Sequence, residues 1–178
     1  GISDWFNADG VPRTIAGLRG RVVLIDFWTY SCVNCIRTLP HLRELDRRYR
    51  AKGLTIVGVH TPEFAFEKDP SNVRRAIRDL GVTWPVARDP SYGTWNRWGN
   101  QYWPAEYLID QEGKVRAFKF GEGRYGETEE EVRALLAEAG PRARAMPDTE
   151  PAPHAAITPE SYLGGARLAR FDSTPSPR

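Results

Sequence analysis

Two short apolar runs, Val22-Val-Leu-Ile-Asp-Phe27 and Thr55-Ile-Val-Gly-Val-His60, flank a segment of helical periodicity, which restricts the chain to folds built on a β-α-β unit. Both runs are rich in β-branched residues and apolar on both sides of the pleat, the pattern of buried strands with parallel neighbours. Across residues 33–50, Ile36, Leu39, Leu42, Leu45 and Tyr49 recur at helical spacing, and Arg43, Glu44, Arg47 and Arg48 take the opposite face. One amphipathic helix, with Pro40 inside it, is therefore expected to carry the chain from the first strand to the second, by a right-handed crossover.

Residues 72–80 read as a second helix closed by Gly81, and Trp84-Pro-Val-Ala87 as a short strand after it. Tyr107-Leu-Ile-Asp110, the turn Gln111-Glu112-Gly113 and residues 115–120 read as an antiparallel hairpin. Thr128-Glu-Glu-Glu131 has capping-box spacing and Gly140-Pro141 marks a stop, which predicts a last helix over 129–139. The order β-α-β-α-β-β-α describes an α/β sandwich, a mixed central sheet flanked by helices. Beyond it Pro147, Pro151, Pro153 and Pro159 are too closely spaced for regular structure. The expected division is an N-terminal extension over 1–10, a folded domain over 11–140, a Pro/Ala/Arg-rich linker over 141–157 and a tail over 158–178.

At 178 residues and 40% apolar, the chain can build one ordinary core. Its formal net charge is only +2, and no arginine block interleaves with aromatics, so nucleic acid is not an expected partner. No run approaches the roughly 18 to 20 apolar residues that span a bilayer, and the longest is interrupted by Asp26. A start at Gly1 without a signal-peptide pattern is what a processed form, or a piece of something longer, would show.

The two cysteines, Cys32 and Cys35, are too few for a disulfide framework and too close for a long staple, which points to reactivity. A thiol attacks a disulfide only as thiolate, so it needs a lowered pKa and access to its target. Cys32 falls between the first strand and the helix, beside unpaired N–H groups and the positive end of the dipole, and is the expected nucleophile. Cys35, one turn later, is placed to resolve the mixed disulfide. The competing reading, half of a zinc site, needs about four ligands. His41, His60 and His154 do not supply them at suitable spacing, so neither metal nor other cofactor is expected.

Asp26, Phe27-Trp28, the Cys-x-x-Cys pair, Pro40 at the fifth position after Cys35 and Trp103-Pro104 together resemble the thioredoxin family over about residues 11–140. The resemblance implies a thioredoxin-like sandwich, a buried aspartate beneath the cysteines and a cis peptide before Pro104. The long stretch between His60 and Pro104, an insertion before the cis-proline loop, and Pro104-Ala-Glu-Tyr-Leu-Ile-Asp110 with Gly113 are similar to TlpA/ResA-like reductases. More narrowly, Asp26-Phe-Trp-Thr-Tyr-Ser-Cys-Val-Asn-Cys35, His60-Thr-Pro-Glu63-Phe and Tyr102-Trp-Pro-Ala-Glu-Tyr-Leu-Ile-Asp110 resemble DipZ-type (CcdA-fused) thiol:disulfide interchange proteins. That resemblance implies disulfide-bearing protein substrates and an extracytoplasmic location. It further implies a tether to the membrane outside this chain, a CcdA-like membrane domain as electron donor and a reductive role. Thr158-Pro-Glu-Ser-Tyr-Leu-Gly164 resembles the opening of the carbohydrate-binding-like domain that follows such modules. Val33-Asn34 replaces the Gly-Pro of thioredoxin, so thioredoxin's redox potential does not carry over.

Three further residues and an aromatic group complete the expected site. Asp26, amid an apolar strand, should have its pKa raised and accept the Cys35 proton. By the ResA resemblance, Glu63 lines the space near the cysteines and raises the thiol pKa. Pro104 presents the Trp103 backbone for an extended substrate segment. Trp28 and Trp103, with Tyr92, Trp95, Trp98 and Tyr102, form either core or an apolar rim for substrate. Two rival functions share some of these features. Thr29-x-x-Cys32 has peroxiredoxin spacing, but Ile25 stands where that family has proline. A Sco-type copper-delivery module would separate its cysteines by three residues.

Overall fold

The computed structural model describes residues 1–9 and 14–138. The linker 141–157, the tail 158–178, His154 and the Gly140-Pro141 stop lie outside the described residues. Among those described, strands Asp4–Phe6 (β1), Val22–Trp28 (β2), Leu54–His60 (β3), Val86–Arg88 (β4), Ala105–Ile109 (β5) and Val115–Phe120 (β6) form one sheet of order β1-β4-β3-β2-β5-β6. The α-helices are Val33–Tyr49 (α1), Pro70–Asp79 (α2), Gly93–Arg97 (α3) and Tyr125–Glu138 (α4). β2, β3 and β4 run parallel, whereas β1, β5 and β6 pair antiparallel with their neighbours. This is the mixed sheet expected, with α2, β4 and α3 inserted before the proline loop.

Every residue of β2 is buried, as its two-sided apolar pattern requires. Successive residues of a strand alternate faces. Phe27 meets Trp95 and Trp98 edge-on, each at 5.9 Å, on the side of α3. Asp26 and Trp28 point the other way, toward α1 and α4, which are joined by Arg48 and Tyr49 on Glu129 at 3.0 and 2.7 Å. Gly58 lies beside Asp26 in register on β3, and a Cβ there would stand 2.9 Å from Trp28 Nε1. Only glycine lets the indole lie across the strand at this point.

Three expectations shift against the structure. The strand foreseen over 84–87 begins at Val86, because Pro85 has no N–H to give and its carbonyl accepts from Gly58 N at 2.9 Å. The last helix starts at Tyr125, so Thr128 is a turn inside it and not its cap. Its N–H bonds the Arg124 carbonyl, and its hydroxyl turns to Glu106. Residues 4–6, foreseen as part of an extension, close the sheet, where Arg88 Nε donates to Asp4 Oδ1 at 2.7 Å. Among the described residues no helix is long and apolar enough to cross a membrane.

Candidate active site

The site forms where β2 ends and α1 begins. Cys32 is the N-cap of α1 in extended conformation, and its sulfur accepts from the Cys35 N–H at 3.4 Å. A bond from the Cys35 thiol holds the Cys32 pKa below the ordinary thiol value. Burial opposes this, the backbone N–H groups of Cys35 and Asn34 add to it, and the charge of Glu63 works against it. Cys35 is buried, and that burial, followed by the nearness of Cys32 and Asp26, pushes its thiol well up. One sulfur is therefore poised as thiolate and partly accessible, and the other is held protonated beneath it. Both belong to one turn of one helix, and the pair is unlinked in this structure.

Beneath Cys35, an ionisable row crosses three strands. Asp26 on β2 faces Glu106 on β5, and Glu106 faces Lys119 on β6. All three are buried, at 1%, 2% and 7% exposure, in a region that should be apolar by strand burial alone. Lys119 Nζ lies 3.0 Å from Glu106 Oε2 and donates to the Gly123 carbonyl at 3.0 Å. Thr128 Oγ1 donates to the same Glu106 oxygen at 3.4 Å. Burial pushes the Asp26 carboxyl well above the carboxylate range, Glu106 adds to the shift, and Lys119 works against it. An acid whose folded pKa is raised loses stability as pH climbs from its unfolded value, 3.8, toward the folded one. Asp26→Asn should accordingly melt above the parent protein at pH 8, with the gap closing toward pH 4. Equal melting temperatures across that range would show that Asp26 carries no such strain.

The loop after β3 supplies a carboxylate that the sequence reading missed. Glu67 is fully buried and receives Ser31 Oγ at 2.5 Å, Ser31 N at 3.3 Å, Glu63 N at 2.6 Å and Phe64 N at 2.8 Å. It ties the loop to the residue that precedes Cys32. Burial alone would raise its pKa, but these bonds and one from the Thr29 hydroxyl hold it below the ordinary value. The Thr29 hydroxyl also lies 3.3 Å from His60 Nε2. Burial lowers His60 to about 4, which keeps it neutral near pH 7. Glu63, the acid foreseen here, is half-buried on this loop and acts on Cys32 through its charge.

The same loop exposes Phe64 and Phe66, stacked at 5.5 Å, beside Tyr30. With Val33 and Ile36 at the start of α1, they are exposed apolar side chains on the elements that carry or adjoin the Cys32 segment, whereas Trp28 and Trp103 are not exposed. Trp28 and Trp103 are 1% and 2% exposed, so neither ring belongs to a substrate rim. Trp28 fills the space left by Gly58. The Trp103 ring lies against Trp95 at 4.1 Å, and its Nε1 donates to the Thr61 carbonyl at 3.0 Å. Trp103-Pro104 is cis, and the Trp103 carbonyl stands 3.9 Å from Cys32 Sγ. Its backbone is therefore at the nucleophile although its side chain is core. Among the described residues no group of three or more His, Cys, Asp and Glu side chains is placed to hold a metal ion.

Residues 4–136 match the Redoxin family. Protein DipZ of Mycobacterium tuberculosis (strain CDC 1551 / Oshkosh) is 48% identical over 179 residues, an alignment covering 96% of this chain and 26% of DipZ. The chain thus spans about a quarter of that relative's length. Thiol-disulfide oxidoreductase YkuV of Bacillus subtilis (strain 168) is 28% identical, over 78% of this chain and 91% of YkuV. Among solved structures, a thioredoxin-like superfamily protein superposes with a TM-score of 0.70 at 26% identity, over 79% of this chain and 95% of its own. Sheet order, cysteine placement and these matches agree, and the chain belongs to the Redoxin family, with a thioredoxin-like fold.

Proposed function

We propose that this chain is a thiol-disulfide oxidoreductase that exchanges disulfides with protein substrates outside the cytoplasm, acting as a reductase. The observation that carries the reading is the inequality of the two sulfurs, with Cys32 accessible and lowered and Cys35 buried and raised. The Cys32 thiolate attacks a substrate disulfide, forming a mixed disulfide and releasing one substrate thiol. Cys35 then passes its proton to Asp26 and attacks Cys32 Sγ, which expels the second substrate thiolate. Two electrons leave the dithiol, and the Cys32–Cys35 disulfide remains.

Protein substrates suit the surroundings of Cys32. The Trp103 carbonyl at Cys32 offers an acceptor to an extended chain, and exposed Phe64 and Phe66, on the loop tied to Ser31, offer apolar surface. The relation to DipZ supports an electron supply from a CcdA-like membrane domain, a tether and an extracytoplasmic site. In this reading the redox domain begins with β1 at Asp4 and runs to about residue 140, residues 141–157 are a linker and 158–178 the opening of a following domain.

Cys35→Ala leaves Cys32 as the chain's one cysteine. Incubated with insulin, this variant should accumulate an adduct that dithiothreitol cleaves, while the parent protein turns over. No adduct, together with no insulin reduction by the parent protein, would end the assignment. Direction can be read by equilibration with glutathione. A potential more negative than about −220 mV fits a reductase, whereas one near −120 mV would mark an oxidant.

A further inference from the structure

The surface around the reactive pair changes character with distance from Cys32. Along α1 the exposed residues Val33, Ile36, Pro40 and Arg43 recur at intervals of three and four, so one solvent-facing stripe runs from apolar beside Cys32 to cationic farther on. A second stripe reaches the same end from the Glu67 loop. The Tyr30 hydroxyl and Asn72 Nδ2 both donate to the Phe66 carbonyl, at 3.3 and 3.0 Å, and Arg75 Nη2 donates to Asn72 Oδ1 at 2.9 Å. Arg78, one turn beyond Arg75 on α2 and exposed like it, continues the line. Arg43 Nη1 joins the two stripes by donating to the Leu80 carbonyl at the end of α2, at 2.9 Å. Burial and the Glu67 charge raise the Tyr30 hydroxyl pKa, and the Arg75 charge works against them, so this guanidinium acts on the residue two before Cys32.

Arg43, Arg75 and Arg78 have no ion pair among the described residues. Their neighbours on the same helices do find partners. Arg47 and Arg48 pair with Glu44, Arg50 with Asp46, and Arg74 lies over the Phe6 ring at 5.3 Å. The acid nearest the start of α2, Asp69, is committed to capping that helix through Ser71 and Asn72. Three cations therefore face solvent without a counter-charge, on a surface continuous with the thiol.

We propose that Arg43, Arg75 and Arg78 form a docking strip for substrate, selecting disulfide-bearing segments that carry acidic residues a few positions away from the reacting cysteine. This rests on the oxidoreductase reading and names a substrate class for it. Arg43 stands about 16 Å along α1 from Cys32, the reach of about four or five residues of extended chain. Apolar residues of the segment would cover Tyr30, Phe66, Val33 and Ile36 on the way. Glu63, whose charge already acts on Cys32, repels a carboxylate set immediately beside the cysteine. The strip thus reads the position of the acids as well as their sign.

The test uses symmetric disulfide dimers of a decapeptide with one cysteine, so that attack on either sulfur is the same event. The protein dithiol becomes the Cys32–Cys35 disulfide, and each dimer yields two peptide thiols. Positions four and five residues from the cysteine carry Glu, Gln or Lys, in either chain direction, and a further peptide carries both Glu beside the cysteine. Second-order rates at low salt, followed by acid quench and mass spectrometry, should rank Glu above Gln above Lys. The distant Glu pair should lead Gln by about 3- to 30-fold, and the adjacent Glu pair should fall below Gln. About 0.5 M sodium chloride should collapse the order. Arg43→Glu with Arg75→Glu and Arg78→Glu should invert it and place Lys first, which a damaged fold does not do. Should that variant not fold, the salt and position dependence of the parent protein decide alone. An order unchanged by charge reversal, or a parent protein that treats the distant and adjacent Glu peptides alike, would overturn the strip. A flat peptide order, with binding to phosphatidylglycerol vesicles that charge reversal abolishes, would give the strip to a membrane surface and end its substrate role. Failure to reduce any of the peptides would instead strike the oxidoreductase reading, and the strip with it.

Discussion

Cys32→Ser is expected to abolish disulfide exchange, on the order of a thousand-fold or more, whereas Cys35→Ser should keep a reactive thiol that stalls after its first attack. The asymmetry follows from position. Cys32 caps the helix and takes the Cys35 N–H, and Cys35 is closed off beneath it. Rapid alkylation with iodoacetamide reads the difference without a substrate. In the parent protein the labelling rate should rise through a midpoint below the ordinary thiol value of 9.0 and belong to Cys32 alone. The Glu63 charge raises that thiol, so Glu63→Gln should move the midpoint lower still. Labelling of both cysteines at equal rates would contradict the structure.

The second large effect is structural and falls on Glu67. Glu67→Ala removes the acceptor for the Ser31 and Thr29 hydroxyls and for three backbone N–H groups at once and should cost about 2 to 4 kcal/mol, read by denaturant unfolding. Glutamine is no gentle replacement. Its carbonyl can serve the donors on one side, but its NH2 group would face N–H groups on the other. Glu67→Gln should therefore recover less than half of the loss. The carboxyl pKa is lower folded than unfolded, so its contribution is complete above 4.5 and disappears as pH falls through the folded value. Acid should accordingly narrow the gap between Glu67→Gln and the parent protein. A gap that stays constant from pH 7 to pH 3 would mean that the charge contributes nothing.

The nucleophile, its partner and Asp26 are legible in the chain because each breaks a local pattern. Two cysteines stand at a strand-to-helix junction, and one acid interrupts an apolar run. Glu106 breaks a pattern in the same way. Starting the hairpin strand at Tyr107, two residues late, leaves it in the preceding loop and hides the anomaly. Lys119 is harder to see, since alternation in Val115–Phe120 would turn Phe118 and Phe120 inward. The structure does the reverse, exposing both rings and burying the lysine, because Glu106 opposite needs a cation. Glu67 carries no sequence signal, being one acid in a polar loop, and its importance appears only when the loop folds back on Ser31. The tryptophans mislead for a related reason. Clustering in sequence near reactive cysteines does not distinguish a platform from a core, and Gly58 decides the matter for Trp28.

The ladder of Asp26, Glu106 and Lys119 is written into backbone pairing, so its spacing is inherited from the sheet and cannot drift one residue at a time. Phe64 and Phe66, by contrast, ride on an exposed loop fastened by the Glu67 carboxylate and by side chains that reach its carbonyls. Selection can therefore reshape which polypeptides such a module greets while its electrochemical tuning stays put, and modules with divergent clients can keep one internal chemistry.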